Sequence, residues 1–257
     1  MERRPQRLRI SMNKIPQLAL AFWVMKICAT TLGETAGDLL SMTLNIGYAV
    51  SSILLLSFFV VTLTIKLFSK KYQPIVYWSV ILSTSTAGTT MSDFMDRTLA
   101  WGYPLGSLVL ICVLSLTLLL WRLVEKSLSV TSIRSFLAEM FYWTAILFSN
   151  TLGTALGDFL ADSSGLGFSG GAILIGSLIL IVILLYSFTS VSRVALFWLA
   201  FVLTRPFGAT FGDLLTKPTH MGGLGFGTIG SSAILFAILA TLIVFEVRKN
   251  QKKPRSA

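Results

Sequence analysis

The stretch FWVMKICATTLGETAGD, residues 22–38, has three close variants further along the chain. They are YWSVILSTSTAGTTMSD at residues 77–93, YWTAILFSNTLGTALGD at 142–158 and FWLAFVLTRPFGATFGD at 197–213. In every copy the Trp precedes the Asp by fifteen residues, and small residues lie ten and fourteen positions after the Trp. Recurrence at a fixed spacing is the signature of an internally repeated architecture. We therefore predict one domain, residues 1–257, made of tandem repeats at about 16–70, 71–126, 136–191 and 192–247, with basic tails at 1–15 and 248–257.

The composition indicates an integral membrane protein. Hydrophobic residues make up 54% of the chain and charged residues only 12%, whereas a soluble domain carries roughly 25% charged residues. A membrane-spanning helix needs about 20 mainly apolar residues, so each repeat has room for two. We predict an all-α fold with eight transmembrane helices, at about 17–40, 45–65, 74–94, 104–124, 137–160, 171–191, 194–215 and 229–247.

An even number of spans in each repeat makes all four copies run in the same direction. The first helix of each repeat carries the polar residues, and the second is apolar on nearly every face. Polar groups are costly in hydrocarbon, so the polar-striped helices are expected to form an inner bundle surrounded by the apolar ones. The paired small residues permit close helix crossings within that bundle.

The net charge of +10 is distributed unevenly along the chain. Basic residues cluster in both tails and between the repeats, whereas the opposite connections contain only Arg97 and Lys217. This asymmetry follows the positive-inside rule and predicts that both termini are cytoplasmic. The expected partners are the lipid bilayer and a small ion, not a nucleic acid, and an oligomer is permitted but not required.

Polar positions four residues apart form a stripe on each inner helix, because such positions share one helix face. The stripes are Thr30, Glu34 and Asp38; Ser85, Thr89 and Asp93; Asn150, Thr154 and Asp158; and Arg205, Ala209 and Asp213. Lys26 extends the first stripe towards the cytoplasmic end, and Thr31, Thr86 and Thr151 flank the stripes.

A shared intramembrane site is the functional interpretation of these stripes. Its metal-ligand candidates are Asp38, Asp93, Asp158, Asp213 and Glu34, with Thr31, Thr86, Thr89, Thr151, Thr154, Asn150, Lys26 and Arg205 in support. Carboxylate and hydroxyl oxygens suit Mn, Mg or Ca ions. The alternative is that each Asp only caps a helix or bonds to a neighbouring one at a Gly-rich crossing.

Charge balance predicts that protons take part. Five acids and two bases inside the bundle would leave a charge of about −3, which requires bound cations, shared protons or pairing with Lys26 and Arg205. For Lys26, an extension to the cytoplasmic surface is equally compatible with its position. No arrangement for nucleophilic catalysis is visible, and a single His excludes His-based metal catalysis, so we do not expect an enzyme or an organic cofactor.

The four copies, with their Trp, T-x-G-x-x-x-G-D core and following Gly-aromatic pair, resemble a bacterial family of membrane-anchored proteins. That family is defined by a four-times-repeated two-span unit of unknown function, and the resemblance implies a location in the inner membrane. The motif ETAGD at residues 34–38 is also similar to the E-x-G-D signature of manganese and calcium exchangers, with the spacing changed by one residue.

These observations favour a transporter or exporter of a cation of the divalent, Mn-like class, with proton coupling and a bound divalent cation at the Asp level. A cation channel with an Asp ring as its filter uses the same residues. A non-transporting membrane sensor or scaffold is the third hypothesis.

Overall fold

The computed structural model describes residues 20–69, 71–130, 133 and 135–252. Over these residues the fold is all-helical, as predicted. The long helices are α1 Leu20–Asp38, α2 Tyr48–Phe68, α3 Pro74–Asp93, α4 Gly102–Glu125, α5 Phe136–Asp158, α6 Gly167–Phe188, α7 Arg193–Thr216 and α8 Gly227–Lys252. The tail residues 1–19 and 253–257, and residues 70, 131, 132 and 134 between repeats, lie outside the described part of the chain.

Five of the described helices are long and apolar enough to cross a membrane. They are α2, α4, α6, α7 and α8. Helices α1, α3 and α5 have 19, 20 and 23 residues, and their apolar residues are interrupted by the polar stripe. For α1, α3 and α5, the sequence-based prediction of a membrane span therefore does not follow from composition and depends on where these helices lie in the fold.

The odd-numbered helices form the centre of the molecule, and we call them the inner helices. Each packs against two others in a closed ring, α1 on α3, α3 on α5, α5 on α7 and α7 on α1. Each even-numbered, or outer, helix packs on the inner helix of the next repeat: α2 on α3, α4 on α5, α6 on α7 and α8 on α1. Each closely packed pair of helices is thus made of an outer helix from one repeat and an inner helix from the next, and α8 closes the ring by packing on α1.

Aromatic contacts show that the inner helices run in parallel. The first aromatic residue of each copy contacts the Trp of the next, and the pairs are Phe22–Trp78, Tyr77–Trp143, Tyr142–Trp198 and Phe197–Trp23. Their ring centroids lie 5.5 to 6.4 Å apart. All four inner helices therefore begin at one end of the bundle, which we call the aromatic end.

Glycines in the inner helices accommodate polar side chains of the following copy. The pairs are Gly33 with Ser85, Gly88 with Asn150, Gly153 with Arg205 and Gly208 with Thr30. A Cβ atom at Gly88 would lie 3.0 Å from the Asn150 Cβ atom, a distance that leaves no room for it. The small residues predicted to permit close crossings thus receive the residue seven positions after each Trp.

The opposite end of the bundle, the acidic end, contains the repeated Asp residues. In the first three repeats, the α-helix ends at the Asp and a π-helical turn follows: Leu39–Thr43, Phe94–Thr98 and Phe159–Ser163. In the fourth repeat, α7 continues to Thr216 and a short 3₁₀ helix follows. The repeated Gly before each second helix then takes a positive φ angle, for example 82° at Gly47 and 71° at Gly102, which glycine adopts without steric cost.

Candidate functional site

The polar stripes face one another along the axis of the inner ring. Their members are almost fully buried, from 0% exposed for Thr30 and Arg205 to 4% for Asp213. The ring geometry explains this burial, because the face that carries the stripe on each helix is enclosed by the other three. The sequence therefore builds a polar column inside an apolar shell.

Arg205 lies at the middle of this column and contacts three other inner helices. Its Nη2 atom lies 2.9 Å from Glu34 Oε2 and donates to the hydroxyl oxygens of Thr89, at 2.5 Å, and Thr154, at 2.6 Å. The Nη1 atom of Arg205 donates to the backbone carbonyl of Thr30, and Nη2 lies within hydrogen-bonding distance of the carbonyl of Ser85. These contacts join the stripe residues that lie seven and eleven positions after each Trp, except Asn150 and Ala209.

Glu34 is held by the same group of residues. The hydroxyls of Thr89 and Thr154 lie 3.2 and 3.3 Å from Glu34 Oε2. The buried pair of Glu34 and Arg205 thus satisfies the pairing that the sequence predicted for Arg205. Because both side chains are shielded from water, removing either partner would leave a buried charge without compensation and would destabilise the protein.

Lys26 and Asn150 continue the column towards the aromatic end. Lys26 is fully buried, with its Nζ atom 3.4 Å from Asn150 Oδ1 and 4.1 Å from the ring centroid of Phe201. Asn150 in turn donates to Thr84 and Ser85. The Lys26 side chain therefore turns inward and does not extend to the surface at the aromatic end.

At the acidic end, Arg97 bridges two of the Asp residues. Its Nε atom lies 3.0 Å from Asp93 Oδ1, and its Nη2 atom lies 3.2 Å from Asp158 Oδ2 and 3.9 Å from Asp162 Oδ2. The carboxylates of α3 and α5 are therefore joined through one guanidinium.

Lys217 bridges the other two Asp residues in the same way. Its Nζ atom lies 2.8 Å from Asp38 Oδ2 and 3.1 Å from Asp213 Oδ1. Burial alone would lower the pKa of the Lys217 ammonium, but the carboxylates of Asp213 and Asp38 raise its pKa above the usual value. Lys217 is therefore positively charged at physiological pH.

The two bridges are related by the repeat. Arg97 and Lys217 each follow their own Asp by four residues, and each reaches the Asp of the next copy. The equivalent positions in the first and third repeats are Met42 and Asp162. The four Asp residues thus form two bridged pairs with approximate twofold symmetry. This corrects the charge estimate made from the sequence, because Arg97 and Lys217 turn inward. Three cations, Arg97, Lys217 and Arg205, pair with the five central carboxylates, whereas Lys26 lies beside Asn150.

Glu34, Asp38 and Asp213 form the group with the geometry closest to a metal site. One carboxylate oxygen from each lies within 4.8 Å of those from the other two, and all three residues are buried. Three carboxylates at this separation supply the oxygen ligands that hard divalent cations prefer. Asp93 and Asp158 belong to the separate bridge made by Arg97.

The flanking threonines have local partners. The hydroxyls of Thr31, Thr86 and Thr151 each donate to a backbone carbonyl four residues earlier in their own helix. The same is true of hydroxyls in many buried helices, where this bond satisfies the side chain locally. Of the supporting residues predicted from the sequence, Thr89, Thr154, Asn150, Lys26 and Arg205 are the ones that join the central column.

Two features of the interior were missed by sequence reasoning. The bridging roles of Arg97 and Lys217 were missed because both residues were assigned to outer loops; the signal was their shared spacing of four residues from an Asp. At the aromatic end, Lys66 of α2 forms a buried ion pair with Glu139 of α5, with 2.9 Å between Nζ and Oε1. Both residues lay near predicted span ends, and nothing in the repeat pattern paired them.

Comparison with known proteins identifies the repeat. A family model described as Repeat of Unknown Function (DUF347) matches residues 21–72, 76–127, 141–192 and 196–252. These segments confirm the four tandem repeats predicted from the sequence. No curated protein and no solved structure matches the chain.

Proposed function

Because this chain belongs to the family of the Repeat of Unknown Function, whose description assigns no activity, we propose its function from the site itself. The protein is a multi-pass membrane carrier for a small cation, of the divalent class that includes manganese, with protons as counter-ions. The observation that carries this proposal is the buried group of Glu34, Asp38 and Asp213, with one oxygen of each within 4.8 Å of the others.

We propose that all eight helices span the bilayer of a bacterial inner membrane. The outer helices support this arrangement with their exposed apolar side chains, such as Ile53 and Ile173, which are 66% and 70% exposed. The inner helices α1, α3 and α5 tolerate polar residues because the ring encloses them. Exposed basic residues at the aromatic end include Lys71, Arg122, Lys126 and Arg193. The positive-inside rule therefore assigns that end and both termini to the cytoplasm.

The charge of the three-carboxylate group supports cation binding. Glu34, Asp38 and Asp213 face two cationic groups, Arg205 and Lys217. With all five ionised, one negative charge remains uncompensated, and an uncompensated charge is costly inside a membrane. A bound cation or a proton on one carboxylate removes that cost, and competition between the two couples cation binding to proton release.

Lys217 has the position of a tethered competitor. Its ammonium lies between Asp38 and Asp213, where a cation would be coordinated, and its side chain is 18% exposed. A substrate ion that arrives from the acidic end would displace the ammonium towards solvent. Two carboxylate oxygens would then be free to bind the ion together with Glu34.

Arg205 favours a carrier over an open channel. Its guanidinium is fully buried and contacts α1, α3 and α5 on the bundle axis. A cation moving along this axis would meet a fixed positive charge at the centre. Transport therefore requires a second conformation in which the contacts of Arg205 change, as in alternating access.

A non-transporting scaffold is the alternative that a specific observation favours. Each of the four Asp residues has a basic partner at 2.8 to 3.2 Å, and such bridges hold helices together whether or not an ion binds. The two functions differ in their response to neutral substitutions of the carboxylates.

The test is cation flux into proteoliposomes that contain the full chain. Asp38→Asn and Asp213→Asn should each abolish flux of Mn²⁺ while thermal unfolding in detergent remains cooperative. Asp162→Asn is the matched control, because this carboxylate is 44% exposed and lies 3.9 Å from Arg97. Its flux should equal that of the unmodified protein. Absence of flux of Mn²⁺, Mg²⁺ and Ca²⁺ in the unmodified protein, together with loss of folding in Asp38→Asn and Asp213→Asn, would refute transport and support the scaffold.

A further inference from the structure

A groove at the aromatic end lies outside the polar column. It has a volume of about 500 Å³ and lies between the end of α4 and the beginning of α7. Its lining residues are Leu118, Arg122, Lys126, Ser127, Leu128, Ser192, Val194, Ala195 and Trp198. One wall is thus apolar, and the rim carries two basic side chains.

The basic side chains at the rim are available to a ligand. Arg122 and Lys126 are exposed, and neither forms an ion pair with a carboxylate among the described residues. They lie four residues apart at the end of α4, where Lys126 takes a left-handed conformation, with a φ angle of 55°. Two cations that line one groove attract an anion with more than one acceptor oxygen.

The opposite rim is the beginning of α7. Ser192 caps this helix, with its side chain accepting from the Ala195 amide. The first turn of a helix carries a partial positive charge, which adds to the attraction for an anion. The beginning of α7 therefore adds a partial positive charge across the groove from the two basic side chains.

The floor of the groove is apolar and continues towards the outer surface. Trp198 closes it from below, fixed by a hydrogen bond from its Nε1 atom to the Leu128 carbonyl at 3.1 Å. Beside the groove, Leu119 and Leu123 of α4 are 54% and 65% exposed. An occupant therefore needs a charged group at the rim and a hydrocarbon part along α4.

We infer that this groove binds one anionic phospholipid, with its phosphate at Arg122 and Lys126 and an acyl chain against Leu118 and Val194. Charge complementarity at the rim and the apolar floor together select this class of ligand. Basic pockets at the cytoplasmic side of membrane helices bind anionic headgroups in this way. The site is separate from the three-carboxylate group and does not depend on the proposed transport.

The test uses quenching of Trp198 fluorescence by lipids with brominated acyl chains. The full chain is reconstituted in phosphatidylcholine vesicles with increasing fractions of brominated phosphatidylglycerol, or of brominated phosphatidylcholine as the zwitterionic comparison. The Trp198 contribution is the difference between the unmodified chain and Trp198→Phe. Brominated phosphatidylglycerol should quench it saturably at low fractions, and brominated phosphatidylcholine should quench it only in proportion to its amount.

Charge removal tests the rim. Arg122→Gln with Lys126→Gln should raise the half-saturating fraction about 25-fold, since each basic residue near the surface contributes about fivefold. Arg248→Gln with Lys249→Gln removes the same charge from the end of α8 and should leave it unchanged. Equal quenching by the two lipids, which needs no variant, would overturn the inference. So would unchanged quenching in the first double variant, or displacement of the lipid by inorganic phosphate.

Discussion

Replacing Arg205 by Met should destabilise the protein more than any surface substitution. The change removes a guanidinium that lies 2.9 Å from Glu34 and leaves that carboxylate buried without its cation. Breaking a buried ion pair by removing one partner costs about 3 to 5 kcal/mol. No reduction for solvent screening applies, because the two side chains are 0% and 3% exposed. For a chain of this size, the loss corresponds to a fall in melting temperature of about 6 to 20 °C.

A second substitution separates charge burial from packing. In the double variant Arg205→Met with Glu34→Gln, the buried carboxylate is replaced by a neutral amide, which still accepts from the hydroxyls of Thr89 and Thr154. The double variant should therefore regain much of the lost stability. Thermal unfolding in detergent measures both variants, with the exposed Arg248→Met as the control. A loss below about 1 kcal/mol in the single variant, or a double variant less stable than the single one, would refute this reasoning.

Three further changes test other parts of the structure. Gly153→Ala places a Cβ against the arginine side chain of the next copy and should cost about 1 to 3 kcal/mol, whereas Gly230→Ala, with open space around it, should be neutral or slightly stabilising in the same unfolding assay. Lys217→Met should lower the melting temperature without metal and tighten Mn²⁺ binding measured by calorimetry. Arg97→Met should also lower the melting temperature but should leave the Mn²⁺ affinity unchanged. Equal Mn²⁺ affinities in the two variants would contradict the role of Lys217 as a tethered competitor. In the unmodified protein, the pKa of Lys217 is raised, so its bridge should contribute fully to stability from neutral pH up to the unfolded pKa of about 10.4. The contribution is lost as the pH rises through the higher folded pKa. A loss of stability from this bridge between pH 7 and 9 would contradict the prediction. Glu246→Gln weakens the two hydrogen bonds that the Tyr72 hydroxyl and the Trp78 Nε1 atom donate to the carboxylate of Glu246 in α8 and should cost about 1 to 3 kcal/mol, measured by thermal unfolding.

The repeat made much of this architecture predictable from the sequence. Four equal Trp-to-Asp spacings placed the polar stripes on one face of each inner helix, and the contacts of Arg205 with Glu34, Thr89 and Thr154 follow from that register. The contacts that differ between the repeats could not be predicted from the repeat pattern. The pairing of Asp residues depends on Arg97 and Lys217, which break the fourfold pattern.

The packing of the outer helices was also beyond sequence reasoning. Each outer helix is apolar on nearly every face, so its composition does not select the inner helix of its own repeat over that of the next. The selection depends on connection geometry: the turn after each Asp and the positive φ angles at Gly47 and Gly102 set the direction of the returning chain.

The closure of the ring by α8 on α1 has a consequence for chain connectivity. Since every outer helix covers the inner helix that follows it, and α8 covers α1 in the same manner, the fold has no unique starting repeat. A circular permutant that opens between Phe68 and Pro74 and joins the original ends through a flexible linker should insert and assemble into the same molecule. During synthesis, α1 stays uncovered on one side until α8 emerges, so the ring is completed only after the fourth repeat has been made.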